Sequence, residues 1–231
     1  MIPYRDENRV RGFPLMTYLL IAVNVMVYLH EASLDAARPA ALEHFIRALG
    51  LVPYDLTHHL QMPPPAPHPE SLTLVTALFV HAGLLHVGGN MLYLFIFGPD
   101  IEYLTGPFRF ALFYLACGVA AGLTQIMMFP DSHVVAIGAS GAIAGVLGAF
   151  VLFFGGNRID AVLPVGCFPL FVQLPAIVVI GLWIVLQVTL VRTETGSTGG
   201  VGYLEHVAGF IAGMLLIFVV RTRSAARAWS A

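Results

Sequence analysis

Six long apolar stretches constrain the fold of this chain more than any other feature of its sequence. They cover residues 13–29, 84–104, 108–129, 137–154, 174–191 and 203–220. A helix needs about 20 mostly apolar residues to cross a bilayer, and each stretch approaches that length. Hydrophobic residues make up 58% and charged residues 10% of the chain, and the mean hydropathy is +0.83, values typical of membrane proteins. We therefore predict an all-α polytopic membrane protein, a single six-transmembrane-helix bundle over residues 1–231.

The placement of arginine predicts how this bundle is oriented. All eleven basic residues are arginines, and positively charged loops stay in the cytoplasm. With both termini cytoplasmic, only Arg38, Arg47 and Arg192 fall outside. We therefore predict a cytoplasmic N-terminal segment (1–12), an outer loop (30–76) with a helix-like piece near 40–51, and a cytoplasmic tail (221–231). The use of arginine for every basic residue favours a location in a bacterial inner membrane.

Composition also limits the partners and cofactors. A net charge of −2 provides no basic surface for nucleic acid, so we expect no nucleic-acid partner. The expected partners are the lipid bilayer and other membrane proteins. The two cysteines, Cys117 and Cys167, have neither metal-ligand spacing nor the density of a disulfide framework. We predict no cofactor and no metal, and the sequence leaves the oligomeric state open.

Polar side chains open the second apolar stretch. His86 and Asn90 are four residues apart, so they share one face of a helix. Both side chains donate hydrogen bonds, and two donors near the start of a helix suit an oxyanion. The alternative is a polar pair that joins neighbouring helices.

A serine stands where a polar loop becomes the fourth apolar stretch. Ser140 lies between Ala139 and Gly141, with Gly138 before them. Serine in a membrane helix is often only a small packing residue. At a helix N-terminus, however, free amides and the helix dipole favour a developing negative charge, and glycine lets a substrate backbone approach. The position therefore favours a nucleophile.

An ionisable residue opens the last stretch. His206 lies within a membrane segment, where a functional role is the default hypothesis. Gly209 and Gly213 follow it as a GxxxG face, and Gly141 and Gly145 form another. If the two faces pack together, the serine hydroxyl and the imidazole come within hydrogen-bond reach. Serine needs such a base, and no carboxylate is suitably placed as a third member, which predicts a dyad.

These motifs together resemble the rhomboid family of intramembrane serine proteases. HxxxxHxxxN (81–90), GxSG (138–141) and HxxGxxxG (206–213) occur in the family's order, and 97–102 is similar to its FGxxIE-type pattern. The resemblance implies that Ser140 is the nucleophile and His206 the general base and acid. It also implies that the Ser140 amide, His86 and Asn90 hold the oxyanion. Some members stack an aromatic residue on the histidine from the position that is Ala144 here.

Three other interpretations remain open at this stage. A non-catalytic member of the family would bind membrane clients without cleaving them. A transporter would use the same polar residues to line a pathway, but that requires polarity through the whole membrane thickness. A metal site would draw on loop histidines that lack convergent spacing, namely His58, His59, His68 and His133.

Overall fold

Helices dominate the computed structural model, which describes residues 2–7, 12–59, 69–165, 168–191 and 202–222. In chain order they are α1 (Leu15–Ala37), α2 (Pro39–Leu49), α3 (Pro53–His58), α4 (Thr73–Thr76), α5 (Leu84–Thr105), α6 (Pro107–Met128), α7 (Ser140–Phe154), α8 (Ala176–Leu190) and α9 (Tyr203–Val220). The predicted helical membrane fold is confirmed. Several residues used in the sequence argument lie outside the described part: Arg9, Arg11, His68, Cys167, Arg192, Arg223 and Arg227.

Four of the described helices are long and apolar enough to cross a membrane. They are α1, α5, α6 and α9, with 23, 22, 22 and 18 residues. The helices α7 and α8 have 15 residues each. A 15-residue helix is about 22 Å long, which is shorter than a hydrocarbon core of about 30 Å. The count of six transmembrane helices therefore stays a prediction.

The first helix continues beyond residue 30, the predicted start of the outer loop. The first helix continues eight residues past the predicted end at residue 29 and stops at Ala37. This extension contains three alanines, one glutamate and one leucine, all residues that favour helix. The helix ends at Arg38, which has non-helical backbone angles (φ −155°, ψ 80°) and precedes Pro39, a position where proline disfavours helix. The helix predicted near 40–51 is confirmed as α2.

A small antiparallel sheet departs from the all-α expectation. Its strands are β1 (Ile2–Asp6), β2 (Arg158–Val165) and β3 (Phe168–Pro175), in the order β1-β2-β3. Ile159 and Ala161 in β2 are fully buried, two residues apart as a strand face requires. The helix of the fifth apolar stretch begins two residues after residue 174, because Leu174 belongs to β3 and α8 begins after Pro175.

The described ends of the chain lie at one end of the bundle. Strand β1 pairs with β2, which follows α7, and the amide of Thr222 donates to the carbonyl of Leu104 near the end of α5. Helices α5 and α7 run in the same direction, since His86 lies near Gly138 and Phe97 packs on Phe150 at 4.9 Å. The side of the membrane on which this end lies stays a prediction.

The motif in 97–102 joins α1 to α5. The start of α1 has no side-chain cap of its own, and the buried carboxylate of Glu102 supplies one. It accepts hydrogen bonds from the amides of Met16 and Thr17 at 2.9 and 2.7 Å and from the Thr17 hydroxyl at 2.8 Å. An anion at a helix N-terminus is stabilising. A Cβ at Gly98 would lie 2.9 Å from Thr17 Cγ2, so glycine permits this close approach.

Helix α7 lies at the centre of the bundle. Every residue from Gly141 to Phe150 is buried, whereas α8 exposes large apolar side chains along much of its length. A helix that is apolar all round and buried is enclosed by other helices. The first residue of α7, Ser140, therefore lies at the head of an enclosed helix.

Candidate active site

A glycine turn leads the chain into α7. Gly138 has φ +121°, a left-handed region where side chains are strained, and its amide donates to the carbonyl of Ala77 at 2.8 Å. Just before it, Ala136 pairs with Leu51 through two backbone hydrogen bonds of 2.8 and 2.9 Å. Ser140 is the first helical residue and is partly exposed. The serine thus has the free amides of a helix N-terminus around it.

The side chains of His86 and Asn90 reach this turn from α5. A Cβ atom at Gly138 would lie 2.8 Å from both Cε1 and Nε2 of His86, and 3.7 Å from Nδ2 of Asn90. Only glycine therefore leaves room for both side chains beside the backbone that precedes Ser140. The two residues predicted to act together do lie together.

Both side chains present a hydrogen-bond donor at this point. The amide of Ala82 donates to Nδ1 of His86 at 3.3 Å, so in the neutral ring Nε2 carries the hydrogen, and Nε2 is the nitrogen that faces Gly138. Asn90 is 9% exposed, and its Nδ2 is buried without a hydrogen-bond partner in the described part of the chain. A buried donor without a partner is rare.

Glycine faces bring α9 against α7. A Cβ at Gly209 would overlap the carbonyl oxygen of Gly141, and a Cβ at Gly213 would overlap that of Gly145. The helix backbones therefore touch along these four glycines. Ser140 precedes Gly141, and His206 lies about one turn before Gly209, so this contact places the serine and the histidine at the same level of neighbouring helices.

Residues of α8 contact the side chain of His206 and fix its position. The ring is 7% exposed, and its Nδ1 lies 2.7 Å from Oε1 of Gln187. The Trp183 ring centroid is 5.6 Å from that of the imidazole. In some members of the family an aromatic ring packs on the histidine from the position that is Ala144 here. His86 is close enough to His206 for the two rings to interact electrostatically. Gln187 is not among the residues predicted for the site, although an amide in an otherwise apolar stretch is a usable signal.

His81 lies behind the site. Its ring is 2% exposed and packs edge-on against His86 at 5.0 Å. Its amide donates to the buried carboxylate of Glu31 on α1 at 3.2 Å. Burial, together with the proximity of His86, lowers the pKa of His81 to about 4, so this ring is neutral at pH 7. We read it as a support that links α1 to the start of α5.

A small cavity opens beside the glycine turn. Its volume is about 20 Å³, room for little more than one water-sized group. The lining is mostly small or apolar and includes Ala77, Ala121, Gly138, Gly141 and Glu205. Gly138 and Gly141, on either side of Ser140 in sequence, therefore form one wall of this cavity.

The described residues contain no group of three or more histidine, cysteine or acidic side chains arranged to hold a metal ion. His58 instead stacks on Tyr54 at 4.1 Å and lies 3.4 Å from Asp131. His133 packs on the same tyrosine at 4.1 Å. His58, at the end of α3, and His133 thus pack with an aromatic residue at the surface.

The fold and the site define an integral membrane helical bundle with a buried polar cluster at the head of its central helix. The profile of the Rhomboid domain matches residues 68–223, a span that contains all of these polar residues. This chain belongs to the rhomboid family.

Curated relatives include proteases and one inactive protein. The chain is 30% identical over 148 residues to Rhomboid-like protein 11, chloroplastic, of Arabidopsis thaliana, covering 64% of this chain and 44% of that protein. It is 30% identical over 149 residues to Rhomboid protease GluP of Bacillus subtilis, covering 64% and 26%. Over 78 residues it is 33% identical to Inactive rhomboid protein 1 of Drosophila melanogaster, covering 34% and 5%. The matched region spans less than half of each relative.

Proposed function

We propose that this protein is an intramembrane serine endopeptidase that cleaves transmembrane segments of other membrane proteins. The observation that carries the proposal is the convergence of three side chains on the start of α7. His86 and Asn90 direct donors at the backbone before Ser140, and the glycine contact between α7 and α9 brings His206 to the same level. A nucleophile, a base and an oxyanion site are what acyl transfer requires.

The proposed chemistry begins with the serine hydroxyl. Ser140 Oγ attacks the carbonyl carbon of the scissile peptide bond while Nε2 of His206 takes its proton. The protonated imidazole then gives that proton to the leaving amine, and the C–N bond breaks. A water molecule, deprotonated by His206, hydrolyses the acyl-enzyme and releases Ser140 with its proton restored.

The tetrahedral intermediate places a negative charge on the former carbonyl oxygen. The donors for it are the Ser140 amide, Nε2 of His86 and Nδ2 of Asn90. In a site shielded from bulk water, each such donor is worth about 10²–10³-fold in rate. The missing partner of Asn90 Nδ2 in the described structure is consistent with this role.

The cavity and the membrane setting indicate a substrate class. A cavity of about 20 Å³ beside Gly138 and Gly141 accepts a side chain of about methyl size, which favours alanine or glycine at the cleaved bond. A helical segment must unwind first, because its carbonyls are already hydrogen-bonded. We propose that such a segment enters beside α5 and α8, near the outer leaflet, where water reaches the acyl-enzyme. Residues that weaken a helix would assist this step.

The alternative function is client binding without cleavage. Similarity to a protein named as inactive supports keeping it, since the fold alone does not imply catalysis. The two functions differ in one measurable property, the appearance of a cut product.

The deciding experiment is co-expression with a panel of tagged single-pass membrane proteins. The wild type is compared with Ser140→Ala and His206→Ala at matched membrane levels, and cleavage is mapped by mass spectrometry. We expect one defined cut with the wild type and none with either variant. Cleavage that persists in Ser140→Ala would show that the assigned nucleophile is wrong. A wild type that cuts nothing across the panel would favour client binding.

A further inference from the structure

A buried amide on α8 holds the imidazole of His206. Gln187 is 6% exposed, and its Oε1 lies 2.7 Å from Nδ1 of His206. The other hydrogen-bonding side chain on α8 within one turn of it, Thr189, is exposed and bonds to the carbonyl of Val185 in its own helix. A polar group is costly inside a membrane unless it has a partner. The partner of Gln187 is His206.

The direction of this hydrogen bond fixes the proton on the imidazole. An amide oxygen only accepts, so Nδ1 of His206 carries the hydrogen and Nε2 keeps its lone pair. That tautomer is the one that takes a proton from a serine hydroxyl. The opposite tautomer would present a hydrogen to Ser140 and could not act as its base.

Two side chains of α8 limit the position of the ring as well. Trp183 lies four residues before Gln187, on the same helix face, and its ring centroid is 5.6 Å from that of His206. The imidazole is thus bonded at Nδ1 and packed against an indole. Ala144 on α7, which has only a methyl group, supplies no comparable ring surface.

We propose that Gln187 is a positioning residue that holds His206 in the Ser140–His206 dyad, an inference that rests on the proposed function. It orients the imidazole and fixes its tautomer, the task that a carboxylate performs in soluble serine proteases. A neutral amide suits this depth because an ionised carboxylate would carry a large desolvation penalty. An amide plays the same part in papain-like cysteine proteases, where asparagine follows cysteine and histidine.

The first test compares three variants of the full chain in a cleavage assay. Gln187→Leu removes the acceptor, and Gln187→Glu keeps an oxygen at the same chain length. The matched control, Asn24→Leu, removes another buried amide, which bonds to the carbonyl of Leu20 on α1. For each protein, kcat, KM and the melting temperature in detergent are measured.

We expect Gln187→Leu to lower kcat by about 10²-fold, as a misplaced catalytic group does, with KM changed by less than about threefold. Gln187→Glu should retain more than about a tenth of the wild-type kcat, and Asn24→Leu should retain wild-type kcat. The inference is overturned if Gln187→Leu keeps the wild-type kcat. It is equally overturned if Gln187→Glu melts as the wild type does and is still no more active than Gln187→Leu.

A second test does not depend on cleavage. Nitrogen NMR of histidine-labelled protein, with His206→Ala as the assignment reference, reports which ring nitrogen of His206 carries the hydrogen. We expect hydrogen on Nδ1 in the wild type and a mixture of tautomers in Gln187→Leu. An unchanged tautomer in Gln187→Leu would refute the role of Gln187, whereas a wild type that cleaves nothing would refute the proposed function, so the two failures are distinguishable.

Discussion

The carbonyl oxygen of Gly141 on α7 lies where a Cβ atom of residue 209 on α9 would stand. The two helices therefore meet backbone to backbone beside the serine and the histidine. No side chain separates them at this level, and the distance between Ser140 and His206 depends on that contact.

Replacing Gly209 by alanine should damage both stability and cleavage. The added methyl group overlaps Gly141 and must push α9 away, and such overpacking costs about 1–3 kcal/mol or more. We expect a lower melting temperature in detergent and a larger loss of kcat than of substrate affinity. Gly181→Ala on α8 is the control, because a Cβ there meets nothing within 4 Å. Equal melting temperatures and equal kcat values for Gly209→Ala and Gly181→Ala would contradict the prediction.

Replacing Asn90 by alanine should slow catalysis without unfolding the protein. Its Nδ2 has no hydrogen-bond partner in the described structure, so little stability depends on it. Loss of one oxyanion donor lowers kcat by about 10²–10³-fold. Kinetic assays beside a thermal melt test this, and Asn24→Leu serves as the control. Wild-type kcat in Asn90→Ala would remove this residue from the oxyanion site.

Replacing Glu102 by alanine should lower the stability of the protein without slowing catalysis, the opposite of the result expected for Asn90→Ala. Three donors at the start of α1 would lose their acceptor, and each buried donor without a partner costs about 1–3 kcal/mol. We expect a clear fall in melting temperature, while the folded fraction keeps its kcat because Glu102 is remote from Ser140. Glu43→Ala, at an exposed position, should melt as the wild type does. A kcat defect without a stability defect would argue against a capping role.

Acid should destabilise the protein partly through His81. Its pKa is lowered from 6.5 to about 4 in the folded protein, so between these values the unfolded chain binds more protons. Stability therefore rises with pH across that window and is lost as pH falls from 6.5 towards 4. The melting temperature, followed from pH 7 to pH 4, should fall more steeply for the wild type than for His81→Gln. Parallel curves would exclude His81 as a source of this dependence.

The sequence predicts the parts of this protein whose signal is local. Apolar length identified the helices, and spacing placed His86 with Asn90 on one face. The pairing of β1 with β2 escaped prediction because the two strands are about 150 residues apart, and pairing over such a distance leaves no periodic signal within either segment. Gln187 was not predicted as a site residue because its role depends on its contact with His206 on α9. The end of α1 was misplaced because helix propensity continued after hydrophobicity stopped.

The enclosure of α7 has a consequence for where a substrate is cut. Lipid thickness acts on helices that touch lipid, and α7 is covered by protein from Gly141 to Phe150. The depth of Ser140 in the membrane is then set by the bundle. Ser140 lies at the N-terminal end of α7, about 22 Å from the C-terminal end of this 15-residue helix. A substrate helix, by contrast, moves with the bilayer that surrounds it. A thicker or thinner membrane would therefore shift the substrate helix along the bilayer normal relative to Ser140, whose depth is fixed by the bundle. A different peptide bond of the substrate would then lie next to the serine.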